Sequence, residues 1–249
     1  RVYHLTHADG KLLTPAKIHG QPVEALLELL KTPENNVRER AKIELGKHPS
    51  AEVAAATKKW AAALDKAAPD YEHHRLEALW VHQWHNVVEV DLLKQVLASP
   101  EPKARAQAVR VLCYWRDRVP NALALLRTAA TDEAPRVRLE AVRACSFFRT
   151  WEAADIALLA LTKQQDYWLD YTLKETLAQL EQWWKPAIAQ GKPLCAGNPA
   201  GVTFVLGSVS TADLPKLPKT EPVLQALLTR PGIAEFDRLG ALGELASQK

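Results

Sequence analysis

Methionine is missing altogether from this chain of 249 residues, and no methionine opens it. Deliberate replacement and chance each account for the loss of so common a helix former and gap filler. The absent start residue is most simply read as the mark of a piece of something larger. Cysteine is scarce: Cys113, Cys145 and Cys195 make no CxxC pair, no CxxCH haem attachment site and no even-numbered disulfide framework. Cys113 and Cys145 fall inside helical patterns, where a free cysteine acts as a small buried hydrophobe. Long apolar runs are lacking as well. Ala153–Leu161 is interrupted by Asp155 and is too short to span a bilayer. Neither sign of charge dominates, with 32 basic against 29 acidic residues and a net +3, so there is no global drive toward nucleic acid, although a local basic surface is allowed. No secretory signal is present, which says little about compartment if the chain is an excised piece. Finally, no GxSxG, Walker loop or GxGxxG occurs, which leaves acyl-transfer, P-loop and dinucleotide chemistry without support.

What is present is ordinary for a folded chain, 47% hydrophobic and 24% charged, and long enough for one elongated domain or two compact ones. The first residues, Arg1-Val2-Tyr3-His4-Leu5-Thr6-His7 followed by Ala8-Asp9-Gly10-Lys11, read as one short strand and a turn, and a lone strand cannot satisfy its own backbone. Everything downstream reads as helix.

Five segments share one helical signature, an apolar residue, then Arg, then small at +4 and apolar or adaptable at +8. They are Val37-Arg38-Ala41-Leu45, His74-Arg75-Ala78-His82, Ala104-Arg105-Ala108-Leu112, Val137-Arg138-Ala141-Cys145 and a degraded Trp168-Leu169-Thr172-Thr176. Their first residues lie 37, 30, 33 and 31 positions apart, which fits a two-helix unit. Each is preceded by an amphipathic stretch: Val23–Lys31, Glu52–Ala67, Val90–Ala98, Asn121–Ala130 and Glu152–Lys163. Between partners lie the turns KTPENN, KAAPDYE, ASPEPK and ATDEAP, where proline sets the turn and the acid can cap the next helix. Such a unit cannot hide its apolar face alone, so neighbours must stack.

The spacing, the Pro/Asp turn and the VRxxA element resemble HEAT repeats over Pro22–Trp184. The fold expected is all-α, a HEAT-repeat right-handed α-solenoid with a short extended N-terminal segment. The family likeness implies that each Arg meets an acidic residue from a neighbouring turn, with Glu34, Asp70, Glu101 and Asp132 preceding Arg38, Arg75, Arg105 and Arg138. Leu169 breaks this ladder, so the fifth repeat should stack less regularly. The division expected is an extended segment over 1–20, five helix pairs over 21–184, an irregular insertion rich in Pro and Gly over 185–219, and a further HEAT-like pair over 220–249 weakened by Gly240 and Gly243.

At 100° per residue the signature positions 0, +4 and +8 form one buried stripe, while −1, +3, +6 and +10 cluster to its side. Those side positions are expected to line a concave surface. They are Asn36, Arg40, Ile43 and Lys47; His73, Glu77, Trp80 and Trp84; Lys103, Gln107, Arg110 and Tyr114; Arg136, Glu140, Arg143 and Phe147; and Tyr167, Tyr171, Lys174 and Ala178. The partner-binding surface is read as Arg40, His73, Trp80, Trp84, Arg110, Tyr114, Arg143, Phe147 and Tyr171, a basic and aromatic ledge suited to a protein or neighbouring domain. The alternative is that the aromatics pack inward and the cations are a solvated face; a one-step error of phase would reassign every residue.

The run HHRLEALWVHQWH holds His73, His74, His82 and His85 but lacks the HExxH spacing. His74 and His82 occupy stripe positions, so satisfied core histidines are expected rather than a metal site, and neither a catalytic residue nor a cofactor is assigned. Glu77 beside Trp80 and Trp84, and Glu140 beside Arg136 and Arg143, leave open a HEAT-like nucleic-acid-binding protein or DNA glycosylase, whose ionised carboxylate would face a cationic base. A cofactor-binding HEAT-like lyase is a third option, to be detected by a chromophore.

RVYHLTH, then GKLLTPAKIHGQPVEALLELLKTPENNVRERAKIEL, RLEALWVHQWHNV and RLEAVRACSFF, are together similar to the middle of large bacterial proteins named membrane-bound dehydrogenases or CxxCH haem-binding proteins. In these a sugar-dehydrogenase-like β-propeller precedes HEAT repeats and a cytochrome c domain follows. That resemblance implies that Arg1–Thr6 is the tail of a propeller strand, that the chain scaffolds domains outside it, and that it resides in the periplasm or cell envelope.

Overall fold

A computed structural model describes Tyr3, Gly10 and residues 14–247; the strand expected over Arg1–Thr6 lies outside the described residues apart from Tyr3. Among the described residues every regular element is a helix, and there is no strand. It divides into two compact units after Glu89.

The first unit holds α1 (Val23–Glu28), continued by a 3₁₀ turn at Leu29–Lys31, α2 (Asn35–Leu45), α3 (Ser50–Ala62) and α4 (Tyr71–Trp84). α1 packs on α2 and α3, and α3 on α4. Leu26, Leu30, Ala41, Leu45, Val53, Ala78 and Leu79 are fully buried between them.

The second unit opens with α5 (Val90–Leu97), α6 (Pro102–Trp115), α7 (Ala122–Ala130), α8 (Pro135–Cys145), α9 (Trp151–Leu158) and α10 (Tyr167–Gln179). The signature helices α6, α8 and α10 lie side by side, each against its preceding partner, and α7 packs on α9. Two rows of helices result. The small residue at +4 permits this approach, since Ala108 and Ala141 are wholly buried, as are Leu112 and Cys145 at +8. In the fifth repeat the stripe begins one residue late: Leu169 is 0% exposed while Trp168, the expected first position, is 66% exposed. Leu173, Leu177 and Leu180 then continue the buried line. The expected alignment at Trp168 is therefore corrected to Leu169, because a leucine fills the slot against α8 that a tryptophan would overpack.

Beyond α10 come α11 (Glu181–Ala189), α12 (Pro199–Ser208), α13 (Glu221–Thr229) and α14 (Glu235–Ser247). Asp155, the residue that interrupts the apolar run of α9, ties this segment down: it accepts from Cys195 N at 2.8 Å and pairs with Arg127 at 2.7 Å. Buried Asn198 donates to Leu158 O and accepts from Gly201 N. A Cβ on Gly201 would lie 2.6 Å from the Asn198 amide and 2.9 Å from Cys195 Sγ, so the turn requires glycine there. α14 buries only Ala241 and leaves Phe236, Leu239 and Leu242 exposed.

The signature arginines staple turns together, though not all in one way. Arg105 donates through Nη1 to Ser99 O and Pro100 O behind it and through Nε and Nη2, both at 2.8 Å, to Asp132 in the next turn. Arg138 repeats the backward bonds to Asp132 O and Glu133 O, but reaches forward to the Gln164 carbonyl, and its Nε finds no partner. Arg38 bonds Thr32 O and Pro33 O and pairs with Glu77. Arg75 turns to Glu72 on its own helix and lies over Tyr71. The expected rule of an acid from a neighbouring turn therefore holds at Arg105 alone, and there the acid is the following Asp132, not the preceding Glu101. Glu101 instead caps α6 by accepting from Lys103 N, as Asp166 caps α10 at Leu169 N; Glu34 and Asp70 make no side-chain cap.

Burial pushes the Asp132 carboxyl upward, but hydrogen bonds from Arg105 and Ala134 N and the charges of Arg105 and Arg138 outweigh it, so it stays below the ordinary range. Its contribution is present above the unfolded carboxylate value and is lost as pH falls through the lowered one. Arg105→Ala should cost about 2–3 kcal/mol, the worth of charge-assisted bonds plus a half-orphaned carboxylate. Urea unfolding at neutral pH checks this, and a loss smaller than that of an exposed surface variant would mean the staple contributes nothing.

Candidate functional site

The phase of the stripe carries the candidate surface. With the exception of α10, the stripe positions turn inward, and the side positions of the signature helices carry exposed Ile43, Trp84, Tyr114 and Phe147.

In the first unit the centre is Glu77, 1% exposed, held by Arg38 Nε at 3.0 Å, Lys42 Nζ at 3.0 Å and His73 Nε2 at 3.5 Å. Lys42 also sits 5.0 Å from the Trp80 ring centre. Trp80 and Trp84 line a groove of about 470 Å³ with Asn35, Glu39, Lys42 and Gln83. The Trp84 indole lies so close to Gly46 that a Cβ there would come within 2.7 Å of Nε1. Arg40 is exposed and lines none of these features.

The second unit has a similar centre with a different balance. Glu140, 4% exposed, accepts from Arg136 Nη2 at 2.8 Å. Its other oxygen is buried without a hydrogen bond, 3.6 Å from Arg143 Nη1 and 3.9 Å from Arg110 Nε. The three arginine side chains are 60%, 42% and 41% exposed. Arg143 and Arg116 both lie over the Phe147 ring, at 5.7 and 5.6 Å. Phe147 in turn opens onto a pocket of about 490 Å³, lined also by Arg116, Ser146, Phe148, Arg149, Gln179, Gln182 and Trp183.

The structure thus brings Arg110, Arg143 and Phe147 together and places Trp80, Trp84 and His73 around Glu77's helix. Tyr114 is exposed on α6, and Tyr171 is exposed on a helix whose stripe is one residue out of step. Arg116, Arg149 and Trp183 were not anticipated as site residues. They stand at or beyond helix ends, where a 3.6-residue period has no hold; the paired Phe147-Phe148 and Trp183-Trp184 were the available signal.

Two of the histidines are not satisfied in the way expected. His82, 2% exposed, has neither ring nitrogen hydrogen-bonded, and His85 bonds Ser50 Oγ through Nδ1 only. Burial is the main cause that pushes His82 below the ordinary histidine value, with Glu89 opposing and His85 and Lys58 adding to it; burial also leads for His74 and His85. The unfolded chain therefore binds more protons than the folded one in the window just below about 6.5. Stability is complete above that value and is lost as pH falls toward the lowered ones. His82→Leu should flatten the fall in melting temperature between neutral and mildly acidic buffer; an unchanged pH slope would show that His82 titrates normally. Among the described residues no cluster of His, Cys, Asp and Glu could hold a metal. Burial raises all three thiols, Cys195 to about 12, with Cys113 and Cys145 also shifted upward, so none is a nucleophile at neutral pH.

Residues 90–178 match the family model for HEAT repeats. No curated protein matches the chain. This region is a HEAT-repeat region, in keeping with an all-α solenoid, and no helix among the described residues is long and apolar enough to cross a membrane.

Proposed function

We propose that the protein is a non-catalytic helical-repeat scaffold whose basic and aromatic ledge docks a protein or a neighbouring domain. The observation that carries this is the surplus of half-exposed cations and aromatics that the core does not use: Arg110, Arg136 and Arg143 around one buried carboxylate, with Phe147 beside them. Repeats of this type commonly serve as interaction surfaces because stacking leaves one long face uncommitted. The likeness of several segments to propeller, HEAT and cytochrome c proteins extends the reading to a parent redox protein in which this part fixes two domains. The uncovered face of α14, with Phe236, Leu239 and Leu242, agrees with a further helix pair packing there.

A nucleic-acid-binding or base-excising reading draws on the same arginines. Against it, both ledge carboxylates are already met by cations, so neither is free to stabilise a cationic base.

Alanine at Trp84, Arg110 and Arg143 tests the reading. Helicity and melting temperature should stay near those of the parent protein, while partners cross-linked to it in cells that express it disappear. A large loss of thermal stability in all three would instead assign these side chains to packing. Duplex DNA binding that weakens steeply with salt would favour the nucleic-acid reading.

A further inference from the structure

We propose that the ridge from Arg110 through Arg143 to the pocket beside Phe147 binds an acidic peptide segment that presents carboxylates around one aromatic or apolar side chain. This rests on the interaction-module reading above and deepens it.

Charge is the first argument. Arg110, Arg116, Arg136, Arg143 and Arg149 gather on the ends and faces of α6 and α8, and among the described residues their carboxylate partners within ion-pair range are Glu140 and Asp117 alone. Glu140 is one buried charge shared among three guanidinium groups, and two of these stand beyond hydrogen-bond distance from it. The side chains of Arg110 and Arg143 donate no hydrogen bond among the described residues, and neither does that of Arg149. Each guanidinium therefore keeps a fork of donors pointing to solvent, matched in geometry to an incoming carboxylate. Glu140 holds the cluster together without neutralising it.

Shape is the second argument. Arg143 and Arg116 flank the Phe147 ring, so the charged ridge runs without a break into the pocket. Its walls combine Phe147, Phe148 and Trp183 with the amides of Gln179 and Gln182, and the space suits one large side chain with polar neighbours. An arginine laid against an aromatic ring is held in place before binding, which lowers the entropy lost on docking.

Extent separates a peptide from a nucleic acid. The basic ridge stops at α8, because on α10 Lys174 is paired with Asp170. A phosphate-backbone binder needs a longer track, commonly about 6–10 contacts, whereas a short acidic segment needs only the few forks present.

The test uses the whole chain and fluorescein-labelled peptides of about twelve residues, each with about four glutamates around one Phe, Tyr or Trp, read by anisotropy at about 50 mM and 300 mM NaCl. Saturable binding is expected, weaker at the higher salt, with about tenfold or greater loss in Arg143→Glu and in Arg149→Ala. Trp183→Ala should weaken binding with little change in salt dependence, since it removes stacking rather than charge. Lys59→Ala and Lys66→Ala, exposed cations of the other unit, should leave affinity unchanged, and circular dichroism should show every variant folded.

Absence of binding to any of these peptides overturns the inference but not the wider reading, which a partner held through Trp80 and Trp84 would preserve. Binding lost in Trp84→Ala and kept in Arg143→Glu has the same consequence. A single-stranded oligonucleotide of equal length bound about tenfold more tightly through the same arginines would remove both.

Discussion

Replacing Glu77 with alanine should destabilise the first unit by about 3–5 kcal/mol, the cost of stranding buried charge. Arg38 and Lys42, whose side chains are 12% and 10% exposed, both converge on this carboxylate. With it gone, two cations at a helix interface have no counter-charge and little water. Glu77→Gln should recover little, because an amide keeps the shape but not the charge. Amide exchange in α2 and α4 should then rise by roughly a hundredfold or more at that cost. An increase below tenfold would mean that Lys42 and Arg38 swing out to solvent freely. Glu140→Ala offers the contrast: its arginines are already half in water, so the same deletion should cost much less.

The second large effect is expected at Trp115. It is the bulkiest of the fully buried side chains, at the C-terminal end of α6. Trp115→Ala should cost about 3–5 kcal/mol, combining lost transfer energy with a cavity that helices fixed on two sides cannot close. Because α6 packs on α5 and α8, the loss should appear as a lower urea midpoint and as dye binding to newly exposed apolar surface at moderate denaturant. A Trp115→Phe variant should recover a large part of the stability; if it does not, the indole contributes more than bulk. Neither substitution touches the arginine forks, so peptide binding by the folded fraction should persist.

The repeat itself was legible in the sequence because it rests on local rules. Alanine at +4 and an apolar residue or, in α4, His82 at +8 recur with the helical period, and α2, α4, α6 and α8 follow that phase. The side positions came from the same geometry, which is why Arg110, Arg143 and Phe147 were expected outside the buried stripe, where they lie. The helical period ceases to predict the buried face in the fifth repeat. At α10 the leucine one residue later took the buried slot, and only the shape of the space against α8 could choose between Trp168 and Leu169.

Sequence alone determined that the chain would build paired helices with one apolar stripe each, since a stripe is set by spacing and needs no partner to be recognised. Tertiary structure decided where each charge ended. Arg105 found Asp132, Arg38 found Glu77, Arg75 turned to Glu72, and Arg138 was left with carbonyls. All four occupy one repeat position, yet a long guanidinium chooses among carboxylates and carbonyls brought near by neighbouring turns. Electrostatic pairing depends on distances between segments remote in sequence, and those exist only once the helices have stacked.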